Sequence, residues 1–385
     1  MADIDDALPN QSVSDEEFVE KEVTEIETPN EDIVESSEDV EVTMDEEGGA
    51  EISFDPSAST PEMGENHFDN LAEFLDDETL DPLGTNLYEK FIDYKESRGD
   101  WEQSYREGLN LLGFKYEKRT EPFRGASGVN HPVLAEAVTQ FQAQAYKELL
   151  PADGPVRSQI LGAITPEKQD QANRVKDFMN YQIMDQMKEY EPEFDQMLFF
   201  LPLSGSTFKK VYYDDLLGRA VSKFVPAEDL IVPYSANSLD DAEAIVHVLK
   251  VSENELRKQQ VSGFYKDIDL GQPPVTENQL EDKKLELEGI SKDGQEDQFT
   301  LLEMHVNLDV EGYEDMGPDG EPTGIKLPYI VTILESTNKI LSIRRNYAEG
   351  DKMMKKINYF VQFKFLPGTG FYGFGLIHMI GGLTR

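Results

Sequence analysis

From residue 85 to residue 205 the apolar positions recur at three- and four-residue steps, the spacing of one helix face. NLYEKFIDYKESR sets Leu87, Phe91 and Tyr94 on one stripe. DWEQSYREGLNLLGF sets Trp101, Tyr105, Leu109 and Leu112 on a second, with Gly113 beyond it as a stop. KYEKRTEPFRGASGVNHP loses the period and carries Pro and Gly, which predicts a loop. Beyond it Asn130 or His131 can cap a helix whose first position is Pro132, where the missing N–H is no loss. That helix presents Leu134, Val138, Phe141, Ala145 and Leu149 before Pro151 ends it. Another starts at Thr165-Pro166-Glu167 and presents Ala172, Val175, Met179, Ile183 and Met187 until Pro192 interrupts the pattern. EFDQMLFFLPLSG predicts a further buried helix reaching Gly205.

After Gly205 the period drops from about 3.6 to 2. TFKKVYY, a turn at DDLLGR and AVSKFV read as a β-hairpin, and FVPAEDLIVP as an extended passage limited by prolines. AIVHVLKV is a strand, and Ser252 to Glu255 has capping-box spacing that opens the short helix ELRKQQ. Residues 266–298 are polar with few apolar anchors, which predicts a long loop or flexible insertion. FTLLEMHVNLDV, LPYIVTILES and KILSIRRNY alternate as antiparallel strands with a turn at Thr337-Asn338, and YFVQFKFLP is the last strand. Helices followed by antiparallel strands predict an α+β chain and not a βαβ repeat. No internal repeat is visible.

Charge divides the chain again. Residues 1–82 carry 29 acidic residues against one basic residue, Lys21, whereas residues 83–385 carry a net −14. The first stretch is also poor in aromatics, so it cannot bury enough surface to offset its ordering entropy, and it reads as a disordered acidic tail. The predicted organisation is therefore a tail at 1–82, a helical portion at 83–205 and a β-rich portion at 206–385 with its insertion. The acidic body excludes broad affinity for nucleic acid, because phosphate binding needs Lys and Arg. A basic cluster at Lys352, Lys355 and Lys356, with Arg344 and Arg345 nearby, reads as a solvated hairpin edge. The chain has no cysteine, which removes disulfides, thiolate metal sites and cysteine nucleophiles. Neither a signal peptide nor a membrane-spanning run is visible, and a soluble, cytosolic protein with no membrane partner is expected.

Candidate chemistry is thin. Of the five histidines (67, 131, 247, 305 and 378), none has metal-ligand spacing, and His247 and His305 fall in predicted strands. The loop DVEGYEDMGPDGEPTG gathers Asp309, Glu311, Glu314, Asp315, Asp319 and Glu321 but lacks EF-hand spacing. Asp214-Asp215 and Asp240-Asp241 are neighbours that point to opposite faces, poor geometry for an acid/base pair. No catalytic, metal-binding or cofactor-binding residue is assigned. The sharpest motif is GTGFYG at 368–373, which matches the dinucleotide fingerprint G-x-G-x-x-G. That mechanism needs a parallel βαβ unit and an acidic residue about 20 positions on. Here the preceding strand is antiparallel, bulky Phe371 and Tyr372 occupy the loop, and the acidic residue is missing. Gly368, Gly370, Gly373 and Gly375 are instead expected to form a structural turn, with Phe371, Tyr372 and Phe374 packed around it.

Three blocks in order resemble the portal proteins of tailed bacteriophages, closest to the large portals of short-tailed phages. EPFRGASGVNHPVLAEAVTQFQAQAYKELLP is similar to the loop and helix near the start of those proteins. VPAEDLIVPYSANSLDDAEAIVHVLKVSENELRK is similar to their Pro-Glu-Asp strand, His-bearing strand and capped helix. GTGFYGFGLIHMIGGLTR is similar to the glycine/aromatic turn that leads into a long helical section. The likeness spans residues 85–385 in scattered blocks; the acidic tail and residues 266–298 have no counterpart. It implies a non-enzymatic ring, usually of about twelve subunits, at one capsid vertex, with 83–205 as a wing-like part. Such a ring is assembled in the host cytoplasm and becomes part of the virion. It conducts double-stranded DNA without sequence-specific binding, docks the terminase, and later joins capsid to tail or adaptor proteins. Against that pattern the chain is expected to be C-terminally truncated at Arg385, in mid-helix. The other readings are a nucleotide-binding enzyme built on the glycine turn and another head–tail adaptor.

Overall fold

The computed structural model describes residues 40–44, 50–54, 66–112, 123, 132–214, 217–273, 279–289, 298–317, 321–368 and 370–384. They fall in two units, Met1–Pro61 and Glu62–Arg385. Within the first, strands β1 (Val40–Met44) and β2 (Ala50–Phe54) form an antiparallel hairpin with Val40 opposite Phe54.

The second unit opens with helices α1 (Asp77–Ser97), α2 (Gly99–Leu109), α3 (Val133–Leu149), α4 (Pro166–Tyr181) and α5 (Tyr190–Ser204). It continues with β3 (Ser206–Asp214), β4 (Arg219–Pro226), β5 (Leu230–Ile231), β6 (Ala244–Ser252), α6 (Glu253–Val261) and α7 (Gln279–Glu288). It closes with β7 (Gln298–Leu308), β8 (Leu327–Leu334), β9 (Lys339–Arg345), β10 (Phe360–Lys364) and α8 (Leu376–Thr384). Two antiparallel sheets organise the second half: three strands in the order β10-β3-β4, and five in the order β5-β6-β7-β8-β9. The chain is thus a mixture of helix and antiparallel sheet, mostly helical before Gly205 and mostly strand after it.

Local chemistry sets the boundaries. Thr165 accepts from the Lys168 amide at the start of α4, and Ser252 accepts from the Glu255 amide at the start of α6. Gly205 ends α5 with φ +87°, a left-handed conformation that admits glycine at least cost. One face of the five-stranded sheet buries Val246, Met304, Val331 and Ile343 against Leu80, Leu87 and Phe91 of α1. The opposite face packs Leu301 and Leu334 on Leu256 of α6, and places Ile245 against Phe208 and Phe360 of the three-stranded sheet. A third core joins Tyr105, Leu109, Leu134, Leu203, Leu280 and Ile377, from α2, α3, α5, α7 and α8.

Four expectations are corrected. Most of residues 1–82 lie outside the described residues, but 40–44 and 50–54 pair as strands, and residues 66–82 belong to the folded body. There Leu71 and Ala72 are fully buried, and Asn70 bonds Leu341 O and the Ile343 amide beside β9. A short apolar run was hidden by the acidic average around it. Within residues 266–298, α7 is a docked helix: Leu280 enters the core, Lys250 pairs with Glu281, and Glu228 pairs with Lys284. Residues 274–278 and 290–297 of that segment lie outside the described residues. On α3, Leu149 is exposed and Leu150 takes the buried place, because the helix ends at Leu149 and the chain turns inward. On α4, no residue is buried, and Val175 and Met179 face outward.

Candidate functional site

The glycine turn lies where the helical half meets the sheets. Strand β10, at the edge of the three-stranded sheet, delivers the chain to Pro367, and α8 carries it away from Leu376. The turn rests backbone to backbone on the end of α5. A Cβ at Gly375 would lie 2.3 Å from Leu203 O, one at Gly373 2.5 Å from Gly205 O, and one at Gly205 2.4 Å from Gly373 O. Three glycines are therefore required by contact distance. Gly368 is looser, its Cβ position 3.0 Å from Tyr372 O, and the Cβ position of Gly370 meets nothing within 4 Å.

The amide of the last motif glycine, and the two amides that follow it, are taken by the chain itself. Gly373 N–H donates to Ser206 Oγ at 2.7 Å, Phe374 N–H to Leu366 O at 2.8 Å, and Gly375 N–H to His378 Nδ1 at 3.1 Å. A phosphate bound at these positions would have to displace those acceptors. Phe371 is buried and stacks on Phe208 with ring centres 5.7 Å apart. Tyr372 stacks on Trp101 at 4.6 Å and donates its hydroxyl hydrogen to Leu230 O. Phe374, expected to pack around the turn, is 42% exposed, with its ring against Gly368 and edge-on to His378.

Arg98 ties this turn to its surroundings. Buried between α1 and α2, it donates to the carbonyls of Ala227, Glu228 and Leu230, to the Tyr372 hydroxyl and to Glu102. Burial acts against its charge, and Tyr372 and Glu102 outweigh that penalty. Nearby, burial pushes the Asp229 carboxyl up, with Lys250 and Arg98 pulling the other way.

Glu303 of β7, opposite His247 of β6 in the sheet, faces the three-stranded sheet and accepts Lys210 Nζ on both oxygens at 2.6 Å. His305 Nε2 donates to Glu303 Oε1 at 2.8 Å, and His247 Nδ1 stands 4.0 Å from the same oxygen. Burial alone would raise the Glu303 pKa; Lys210 first, then His305, hold it well below the usual carboxylate range. Burial lowers His247 to about 3, so it is neutral near pH 7. The sequence reading passed over this cluster, although Glu303 and His305 stand two apart in one strand and so share a face. Lys210 could not be placed with them from sequence, because it lies 93 residues away.

The remaining candidates disperse. His67 donates to Tyr347 O, and His131 and Asp319 lie outside the described residues. Asp315 accepts from Thr323, Glu314 from the Gly312 amide, Asp214 from the Leu217 amide and Asp241 from Ser238, all local turn bonds, whereas Asp240 accepts from Asn358 across 118 residues. Among the described residues no group of three or more His, Asp or Glu is placed to hold a metal ion. The basic cluster is not simply a solvated edge. Arg344 donates to Phe68 O and Phe264 O, Arg345 to Asn66 O and His67 O, and Lys356 to Leu239 O and Ala242 O. Among the described residues no helix is long and apolar enough to cross a membrane. No protein-family model matches the chain, and a search of curated proteins finds no relative.

Proposed function

We propose that this chain is a subunit of a tailed-phage portal: a ring at one capsid vertex through which DNA is packaged and ejected, and on which terminase and tail components dock. The observation that carries the reading is the glycine turn. Its first-order meaning, a phosphate cradle, conflicts with the last motif glycine's amide, already bonded to Ser206, and with the next two amides, bonded to Leu366 and His378. Its geometry is that of a stiff joint between sheet and helix, and the resemblance calls for such a joint at this point.

Charge supports the same reading. The body beyond residue 82 carries a net −14, so a channel built from it repels phosphate oxygens and lets a duplex slide. Portals are not enzymes, and the half-buried Glu303–Lys210 pair has the character of a clamp between two sheets. A closed ring is built from heterologous contacts, two unlike faces on each subunit.

Mass photometry of the full-length gene product, with and without added ATP or NAD, tests the proposal. A species of about twelve copies, unchanged by nucleotide, is expected. A monomer or dimer that binds nucleotide saturably would overturn it. Tight, salt-sensitive duplex binding by the assembled ring would also count against it.

A further inference from the structure

Among the described residues, helix α4 and the strap before it meet little of their own chain beyond Asn180, which bonds Asp153 O and both backbone groups of Val156. The strap, residues 157–165, has neither helix nor strand and exposes Leu161 (86%) and Ile164 (72%). The sixteen residues of α4 include none that is buried, and Val175, Phe178 (59%) and Met179 turn an apolar stripe to solvent. A lone helix of about 12–15 residues is marginal in water, and most helices in proteins are stabilised by packing an apolar face. This stripe therefore calls for a cover.

Charge says which cover fits. Acidic residues make up 77 of the 385 residues, yet residues 154–166 contain none and hold one base, Arg157. Residues 151–189 as a whole carry six acidic and five basic residues. Two copies of so acidic a chain repel each other over most of their surface, but not here. The strap holds one positive charge and α4 three of each sign, so this apolar, near-neutral zone is where two copies can approach without net repulsion. Strap and stripe are also unlike in shape, one irregular and one helical, as a head-to-tail contact requires.

We propose that the strap of one copy, through Leu161 and Ile164, lies on the α4 stripe of the next copy, over Val175, Phe178 and Met179. This rests on the ring reading above and assigns one of the ring's contacts to a named pair of surfaces. Helix α4 is itself balanced, with Glu167, Asp170 and Asp177 against Lys168, Arg174 and Lys176, so it offers Arg157 carboxylates without net repulsion between the copies.

The absence of native cysteine permits a direct test. The full-length chain with Leu161→Cys and the full-length chain with Phe178→Cys are co-expressed and oxidised gently. A disulfide needs Cα atoms within about 7 Å, so it reports this contact and no distant one. A covalent dimer is expected from the co-expressed pair, and neither variant alone should cross-link. Val261→Cys, on an exposed apolar residue of α6, replaces Leu161→Cys as the control and should not link to Phe178→Cys. Rings without any cross-link would overturn this contact and leave the portal reading standing. Cross-linking of either variant with itself would show a two-fold contact and overturn the head-to-tail arrangement. A full-length chain that never assembles would overturn the ring reading, and this contact with it.

Discussion

Replacing Glu303 by Gln removes one charge from the space between the two sheets and changes little else in shape. Both oxygens of Glu303 accept Lys210 Nζ at 2.6 Å, and the two side chains are only 14% and 17% exposed. At an effective dielectric near 20, two unit charges at that separation attract by about 6 kcal/mol before desolvation is subtracted. Desolvation offsets much of this, so the intact pair adds little net stability. Breaking it is another matter, because the Lys210 ammonium, largely shielded from water, is left beside an amide. We expect Glu303→Gln to cost about 3–5 kcal/mol, read as a lower urea midpoint at pH 7. Combining it with Lys210→Met should cost less than the two single changes summed, by about 2 kcal/mol.

The pH response has a definite sign. Glu303 titrates lower in the folded chain than its unfolded value of about 4.3, so its contribution is complete above that pH and is lost as pH falls. His247, lowered to about 3, likewise favours the unfolded chain as pH falls below its ordinary value of about 6.5. Acid therefore destabilises the wild type on both counts, and Glu303→Gln should flatten the part of the curve below about pH 4.3. A loss under about 1 kcal/mol at pH 7, or a pH curve identical to wild type, would refute the clamp.

Other outcomes follow from the glycine joint. Gly375→Ala places a methyl 2.3 Å from Leu203 O and should cost about 3 kcal/mol or more, whereas Gly370→Ala, in open space, should shift the melting temperature hardly at all. Equal effects would contradict the joint. Arg98→Lys exchanges a planar fork for a point charge, abandons carbonyls at 227, 228 and 230, and should cost about 2–3 kcal/mol in denaturant unfolding. Tyr372→Phe removes the bond to Leu230 O and the acceptor for Arg98, and about 1–1.5 kcal/mol is expected from the same measurement.

Elements that depend on local chemistry were legible in the sequence. The α2 stripe from Trp101 to Leu109, the Gly205 stop, the Ser252 cap and the strand alternation of β6 to β9 all act within a few residues. What depended on distant partners was not. Residues 66–82 fold because Asn70 reaches β9, across 271 residues, while their composition matches the acidic stretch before them. Helix α7 looked polar because its anchors to the body are ion pairs with Lys250 and Glu228 as much as Leu280. The α4 stripe was visible as a period, but a period says only that a face is apolar, not which molecule covers it. At the glycine turn the residue types and the turn itself were legible. The reason for Gly373 and Gly375, contact with the α5 terminus, was written 170 residues upstream.

Class averages of the full-length gene product in negative stain test the central claim most directly. The portal account predicts rotationally symmetric rings of about twelve copies with a central opening wide enough for a duplex. Compact particles with neither rotational symmetry nor an opening would contradict it.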